Sequence, residues 1–202
     1  LPPPKGDPEK PLKALIFDVD GTLADTERDG HRVAFNKAFG DVGLDWDWDV
    51  ETYGKLLAVT GGKERIRHYI DAFLGDFEAP GDLTAFIADL HKRKTAHYLE
   101  MLQAGQIPLR PGVERLLAEA RDAGVTLAIA TTTTPENVTY LLQSTLGPDS
   151  VEWFACIGAG DVVPKKKPAA DIYFYVMEQL GLAPTACVAF EDSHNGIRAT
   201  ND

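Results

Sequence analysis

Asp18 and Asp20 close an apolar run, Leu12 to Phe17, in the string Asp18-Val19-Asp20-Gly21-Thr22. In extended chain alternate side chains share a face, so both carboxylates can address one point where a strand leaves its sheet. Two like charges held that close need a cation, and hard oxygen ligands suit Mg²⁺. Gly21 permits a tight bend that turns backbone amides toward an incoming anion such as phosphate. An Asp-rich turn can also be a plain cap, or the start of a calcium loop. The calcium loop needs a third ligand at position five and its Gly at position six. Here Gly21 falls fourth, Thr22 fifth and Leu23 sixth, so that alternative fails.

Three further polar groups end apolar runs or precede helices. Thr131 follows Val125 to Ala130, where a hydroxyl can donate to a phosphoryl oxygen. Thr133 or Thr134, just before Pro135, reads instead as a helix cap. In Lys165-Lys166-Lys167-Pro168 the first two lysines read as a solvated face. Lys167 is tied to the fixed backbone of Pro168 ahead of a helix, which orients it. Glu191 and Asp192 follow Ala186 to Phe190 and supply further acid for a metal.

The elements that must position these groups follow from hydrophobic spacing. Leu12–Phe17, Val125–Ala130, Phe154–Ile157 and Ala186–Phe190 are strand-length runs that end in turn residues. Between them Val113, Leu116, Leu117 and Ala120 fall on one helical face before Gly124. Val138, Leu141, Leu142 and Thr145 repeat the spacing before Gly147, and Ile172, Val176 and Leu180 do so before Gly181. Strands alternating with helices predict an α/β, Rossmann-like three-layer core with a parallel sheet, its functional groups at the carboxyl ends of the strands. Residues 27–106 break the alternation. Val33–Phe39, Ile66–Leu74 and Leu83–Leu102 are amphipathic helices with no strand between them. The expected organisation is a core of residues 1–26 and 107–202 with a helical cap, 27–106, inserted after the first strand.

These four pieces, in this order, resemble the haloacid dehalogenase (HAD) superfamily, whose motifs are a strand ending Asp-x-Asp-Gly-Thr, a strand ending in Thr or Ser, a Lys before Pro, and a strand ending in two acids. The resemblance covers residues 12–198. It implies that Asp18 attacks phosphorus and that Asp20 protonates the leaving alkoxide and then activates water. It also implies Mg²⁺ on the carboxylates of Asp18 and Asp192 and the backbone carbonyl of Asp20, with Glu191 supporting the metal shell and Thr131 and Lys167 on the phosphoryl oxygens. Phosphoryl transfer spreads negative charge over three oxygens, so a cation and oriented donors carry most of the catalysis.

Thr60-Gly61-Gly62-Lys63-Glu64-Arg65 is a glycine turn with two cations ahead of a helix. It suits a second anion, against the alternative of a capped helix with a surface ion pair. With Asp25-Thr26-Glu27, Trp46 to Trp48 and Tyr53, it looks like the CbbY-like group of sugar-bisphosphate phosphatases. That likeness implies substrate-binding roles for Glu27, Tyr53, Gly62, Lys63 and Arg65. The implied substrate is xylulose-1,5-bisphosphate, a misfire product that inhibits Rubisco, and the implied compartment is the chloroplast stroma, otherwise the cytoplasm. The hinge histidine, His31, stands one residue farther along than usual, and Ala170 replaces a common Pro. His68, His91 and His97 are expected on surfaces or in helix packing, and His194 at a helix cap.

Lys and Arg total 20 against 31 Asp and Glu, a formal net charge of −11. That balance argues against nucleic-acid or anionic-membrane partners; the resemblance implies a small phosphosugar as the partner, and a monomer is expected. Cys156 and Cys187 lie in apolar stretches and are expected as buried structural thiols. The start, Leu1-Pro2-Pro3-Pro4, reads as a trimmed terminus with a flexible leader to Pro11. The resemblance also predicts a further strand and helix beyond Asp202. The nearest rival function is a phosphosugar mutase of the β-phosphoglucomutase type. A catalytically silent binding module would have lost Asp18, Asp20 or the fourth-motif acid, and all three are present.

Overall fold

A computed structural model describes residues 12–201 of the chain; the expected Pro-rich leader and Asp202 lie outside them. Four strands, β1 (Ala14–Phe17), β2 (Thr126–Ala130), β3 (Phe154–Gly158) and β4 (Cys187–Phe190), form one parallel sheet in the order β3-β2-β1-β4. β1 runs in the middle, with Phe17 level with Ile129 on one side and Phe190 on the other. All four of its residues are buried, as expected for a parallel strand covered on both faces.

Alternation along the strands divides the core. Leu15, Phe17, Leu127 and Ile129 pack toward α5 (Val113–Asp122) and α6 (Pro135–Leu146). Ile16, Ala128 and Ala130 face Ile172, Tyr173 and Val176 of α7 (Asp171–Leu180) and Ala199 of α8 (His194–Asn201). The ladder continues past the strand ends, where Asp18 donates its N–H to Phe190 O (3.0 Å) and Thr131 donates to Gly158 O (2.9 Å). The main chain of the polar residues is thereby held level with the sheet.

After β1 the chain is helical until α5. A π-helical turn, Glu27–His31, leads into α1 (Arg32–Asp41). α2 (Val50–Leu56), α3 (Gly62–Tyr69) with a π-helical turn Ile70–Leu74, and α4 (Leu83–Gln103) follow. This bundle has its own aromatic core. Phe35 and Phe39 lie 4.7 and 4.9 Å from Trp48, and Tyr53, Leu56, Ile66 and Leu90 complete it. α2 has no counterpart in the periodicity. It has seven residues with a glycine inside, too short to stand alone, and it forms because Asp49 caps Thr52 N–H at 2.7 Å and Tyr53 and Leu56 are buried.

Cys156 and Cys187 are unpaired and only partly buried, a correction to the fully buried thiols expected from their neighbours. Both lie on the outer strands, β3 and β4, beside exposed residues, Ala155 on β3 and Val188 and Ala189 on β4. Among the described residues no helix is long and apolar enough to cross a membrane.

Candidate active site

Asp18 is buried just past β1, and Lys167 reaches it from the loop before α7. The Lys167 ammonium donates to Asp18 Oδ1 at 2.9 Å and to Ala130 O at 2.8 Å, and pairs with Glu191. Glu191 also accepts from the Tyr173 hydroxyl, while its Oε2 is buried without a partner. Asp192 accepts from Thr22 Oγ1 at 3.3 Å and lies over Gly21, where a Cβ would sit 2.1 Å from Oδ2. Gly21 has φ +86°, so both its backbone and its missing side chain serve this approach.

Asp18, Glu191 and Asp192 each offer an oxygen within 4.8 Å of the others. Three carboxylates against one ammonium leave an excess of negative charge in a largely buried site. Burial raises the Asp18 pKa to about 7 against the pull of Lys167, and burial also raises that of Asp192. Burial works against the Lys167 ammonium, but Asp18 and Glu191 hold it above the ordinary lysine range. Hard oxygens, surplus negative charge and an orphaned acceptor on Glu191 fit a divalent ion such as Mg²⁺.

The Asp20 carboxylate is not one of these three. It accepts from Thr26 Oγ1 at 2.5 Å and bonds His31 Nε2 at 2.6 Å. His31 Nδ1 meets the Lys94 ammonium at 2.7 Å, so the hydrogen-bond network assigns the ring proton to Nε2, donated to Asp20. His31 stacks on Tyr98 with centroids 4.0 Å apart, and Lys94 lies 5.1 Å from the ring centroids of both Phe35 and Tyr98. Burial would raise the Asp20 pKa, but His31, Thr26 and Lys94 together hold it well below the carboxylate range. Burial lowers Lys94 to about 8, with Asp20 and Glu27 pulling the other way. A metal role for Asp20 therefore rests on its backbone carbonyl, as the family resemblance implies.

Two adjoining cavities lie between sheet and bundle. One, of about 110 Å³, is lined by Asp18, Asp20, Lys167, Asp192 and Thr132. The other, of about 50 Å³, is lined by His31, Lys94, His91, Gly62 and Asn137. Asp20, Glu27, Gly61, Arg65 and Thr132 line both, so they are lobes of one cleft. Arg65 is buried; it donates to Tyr53 Oη at 2.8 Å and lies 3.7 Å from Glu27 Oε2, while its Nε has no partner. The Tyr53 hydroxyl donates to Glu27 at 2.5 Å.

Of the residues singled out from sequence, Asp18, Asp20, Lys167 and Asp192 line the first lobe, and Glu191 completes the acidic cluster behind it. Glu27, Gly62 and Arg65 line the second. Tyr53 lines neither and stands behind Glu27 and Arg65. Lys63 turns away to Asp161 of the sheet domain at 2.9 Å. Thr131 is buried, its Oγ1 accepting from Thr133 N–H at 3.3 Å, and the next residue, Thr132, lines the cleft. Lys166 is no solvated lysine but bridges Glu64 at 3.0 Å and Asp161 at 3.1 Å. Lys94, His91 and Asn137 were missed. Lys94 carried a signal, since it interrupts the stripe Ile87, Leu90, Tyr98, Met101 at helical spacing.

A family model for haloacid dehalogenase-like hydrolases matches residues 12–201. Protein CbbY of Cupriavidus necator is 53% identical over 189 residues, 93% of this chain and 74% of its own length. The CBBY-like protein of Arabidopsis thaliana is 44% identical over 92% of this chain and 59% of its own length. The crystal structure of a mutant CbbY from Rhodobacter sphaeroides in complex with xylulose-(1,5)bisphosphate superposes with a TM-score of 0.87 at 46% identity, over 94% of this chain and 82% of that one. The chain belongs to the haloacid dehalogenase-like hydrolases, in their CbbY-like group, and is a phosphoric monoester hydrolase that acts on sugar phosphates.

Proposed function

We propose that the enzyme hydrolyses xylulose-1,5-bisphosphate, with Mg²⁺, through a phosphoryl group carried on Asp18. The observation that carries this reading is Arg65, a buried guanidinium that lines both lobes of the cleft. The acidic, lysine-paired lobe takes the phosphoryl group to be cleaved. Arg65, Lys94 and the Gly61–Gly62 turn at the start of α3 offer charge and amides to a second one. The complex of the Rhodobacter sphaeroides CbbY mutant with xylulose-(1,5)bisphosphate supports the same substrate.

In the first step an Asp18 oxygen attacks phosphorus as the ester P–O bond breaks, and the departing alkoxide takes a proton from Asp20. In the second, water attacks the aspartyl phosphate while Asp20 takes its proton, releasing inorganic phosphate and restoring Asp18. Asp20 rests as a carboxylate; an arriving phosphoryl dianion beside it raises its proton affinity, so that it takes up a proton from solvent before the first step. His31, backed by Lys94, holds that carboxylate in place. Lys167 offsets charge on the nucleophile and on the equatorial oxygens, and Thr132 offers its hydroxyl or amide there. Asp18, Asp192 and the Asp20 carbonyl, supported by Glu191, would hold Mg²⁺, whose charge stabilises the transferring phosphoryl group.

We read residues 27–106 as a cap that closes on the core, 1–26 and 107–202. Asn195 donates across that boundary to Thr60 Oγ1 at 3.0 Å and Ala58 O at 3.1 Å. Kinship with bacterial and plant relatives favours a place beside carbon fixation, in the chloroplast stroma of a plant or the cytoplasm of a bacterium. The test is phosphate release from matched sugar mono- and bisphosphates with Mg²⁺ and with chelator. Preference for the bisphosphate, lost on chelation and restored by Mg²⁺, is expected; preference for a monophosphate overturns the two-anion reading, and isomerised product in place of free phosphate indicates a mutase.

A further inference from the structure

Lys167 carries its ammonium on a flexible four-carbon stem, so the groups that meet it decide where the charge sits. Two of its acceptors, Asp18 Oδ1 at 2.9 Å and Ala130 O at 2.8 Å, belong to segments whose backbone the sheet fixes. The third, Glu191, is itself a long side chain. Among the described residues its carboxylate has two donors, Lys167 and the Tyr173 hydroxyl, and both meet Oε1. Oε2 has no partner and lies over Gly196 of α8, where an added Cβ would collide with it. With no side chain at residue 196 to prop it, the carboxylate is oriented by what holds Oε1.

Tyr173 stands on the first turn of α7, the helix that follows the Lys167 loop. It is buried, with its ring centroid 5.3 Å from Lys167 Nζ. An ionised carboxylate can only accept, so the phenol donates. The hydroxyl takes one side of Oε1 and shares the negative charge that Lys167 meets there. Without it Oε1 would have the ammonium as its single donor, and the competition between Glu191 and Asp18 for that ammonium would tip toward Glu191. We propose that Tyr173 is a positioning residue that, through Glu191, holds the Lys167 ammonium on Asp18 and on the phosphoryl group that Asp18 receives. This rests on the reading of Asp18 as nucleophile and Lys167 as its cation, and is independent of which sugar is the substrate.

The test is Tyr173→Phe, which removes the hydroxyl and keeps the ring, assayed with Mg²⁺ on p-nitrophenyl phosphate. The kcat should fall about three- to tenfold with KM changed less than about twofold, because Lys167 meets charge that grows in the transition state. Inhibition by orthovanadate, a mimic of the transferring phosphoryl group, should weaken by the same factor, and a thermal melt reports folding. A hydroxyl that served packing alone would leave kcat and vanadate inhibition where they are. That result, or a loss carried by KM alone, overturns the proposal. Lys167→Met separates it from the reading beneath it. If that variant is disabled while Tyr173→Phe matches the wild type, the role of Tyr173 alone is refuted; if Lys167→Met keeps the wild-type rate, both fall.

Discussion

The two lobes of the cleft are built by different means. In the core lobe Asp18, Glu191 and Asp192 follow strands whose registers are locked, Phe17 level with Phe190, and Lys167 closes the set from the loop before α7. In the bundle lobe Arg65, Lys94 and His91 project from helices whose placement depends on aromatic packing around Phe35, Trp48 and Tyr53. The first arrangement is set by main-chain hydrogen bonding, the second by side-chain packing. The groups proposed to do the chemistry sit on the stiffer frame, and those proposed to choose the substrate sit on the one that can be repacked.

Substitutions should separate the two. Asp18→Asn is expected to abolish phosphate release from every substrate, sugar or aryl, with the melting temperature retained; selective loss on one substrate would contradict the division. Asp20→Asn should lower kcat by ~10²–10⁴ on all substrates alike, the usual worth of a general acid–base group, as read in steady-state rates. Arg65→Ala should instead act on selectivity. The loss of a charge-assisted contact predicts a fall of about 10- to 100-fold in kcat/KM for a bisphosphate relative to a monophosphate. The smallest effect is expected at Asp161, which pairs with Lys63 and Lys166 at the protein surface. Asp161→Asn should shift stability by less than about 1 kcal/mol in denaturant unfolding, and a larger loss would mean that the contact holds the bundle in place.

The same contrast explains what the chain disclosed before its coordinates. All four strands and the acids clustered at their ends were legible because each apolar run ends in its own polar signature, and a parallel sheet places such endings side by side. α2 was not, because its seven residues are helical only through burial of Tyr53 and Leu56 against distant aromatics. Lys63 and Arg65 look equivalent in sequence, two cations on one glycine turn. Only the packing decides that Arg65 turns inward and Lys63 outward to Asp161. Lys94 hides in Lys92-Arg93-Lys94 because its partner, His31, lies 63 positions away. His91 reads as a helix-surface histidine until Gly62 is placed against it.

The register of the sheet has a consequence for the metal site. β1 and β4 are hydrogen-bonded neighbours with Phe17 level with Phe190, so Asp18 and the two acids after β4 leave the sheet side by side. The closeness of the three carboxylates is thus inherited from the register of the backbone ladder and needs no dedicated loop to bring them together. A redesign of this enzyme for a new sugar can rewrite the overlying helices around His31 and Lys94, which steady Asp20, since the acidic cluster is laid down beneath them.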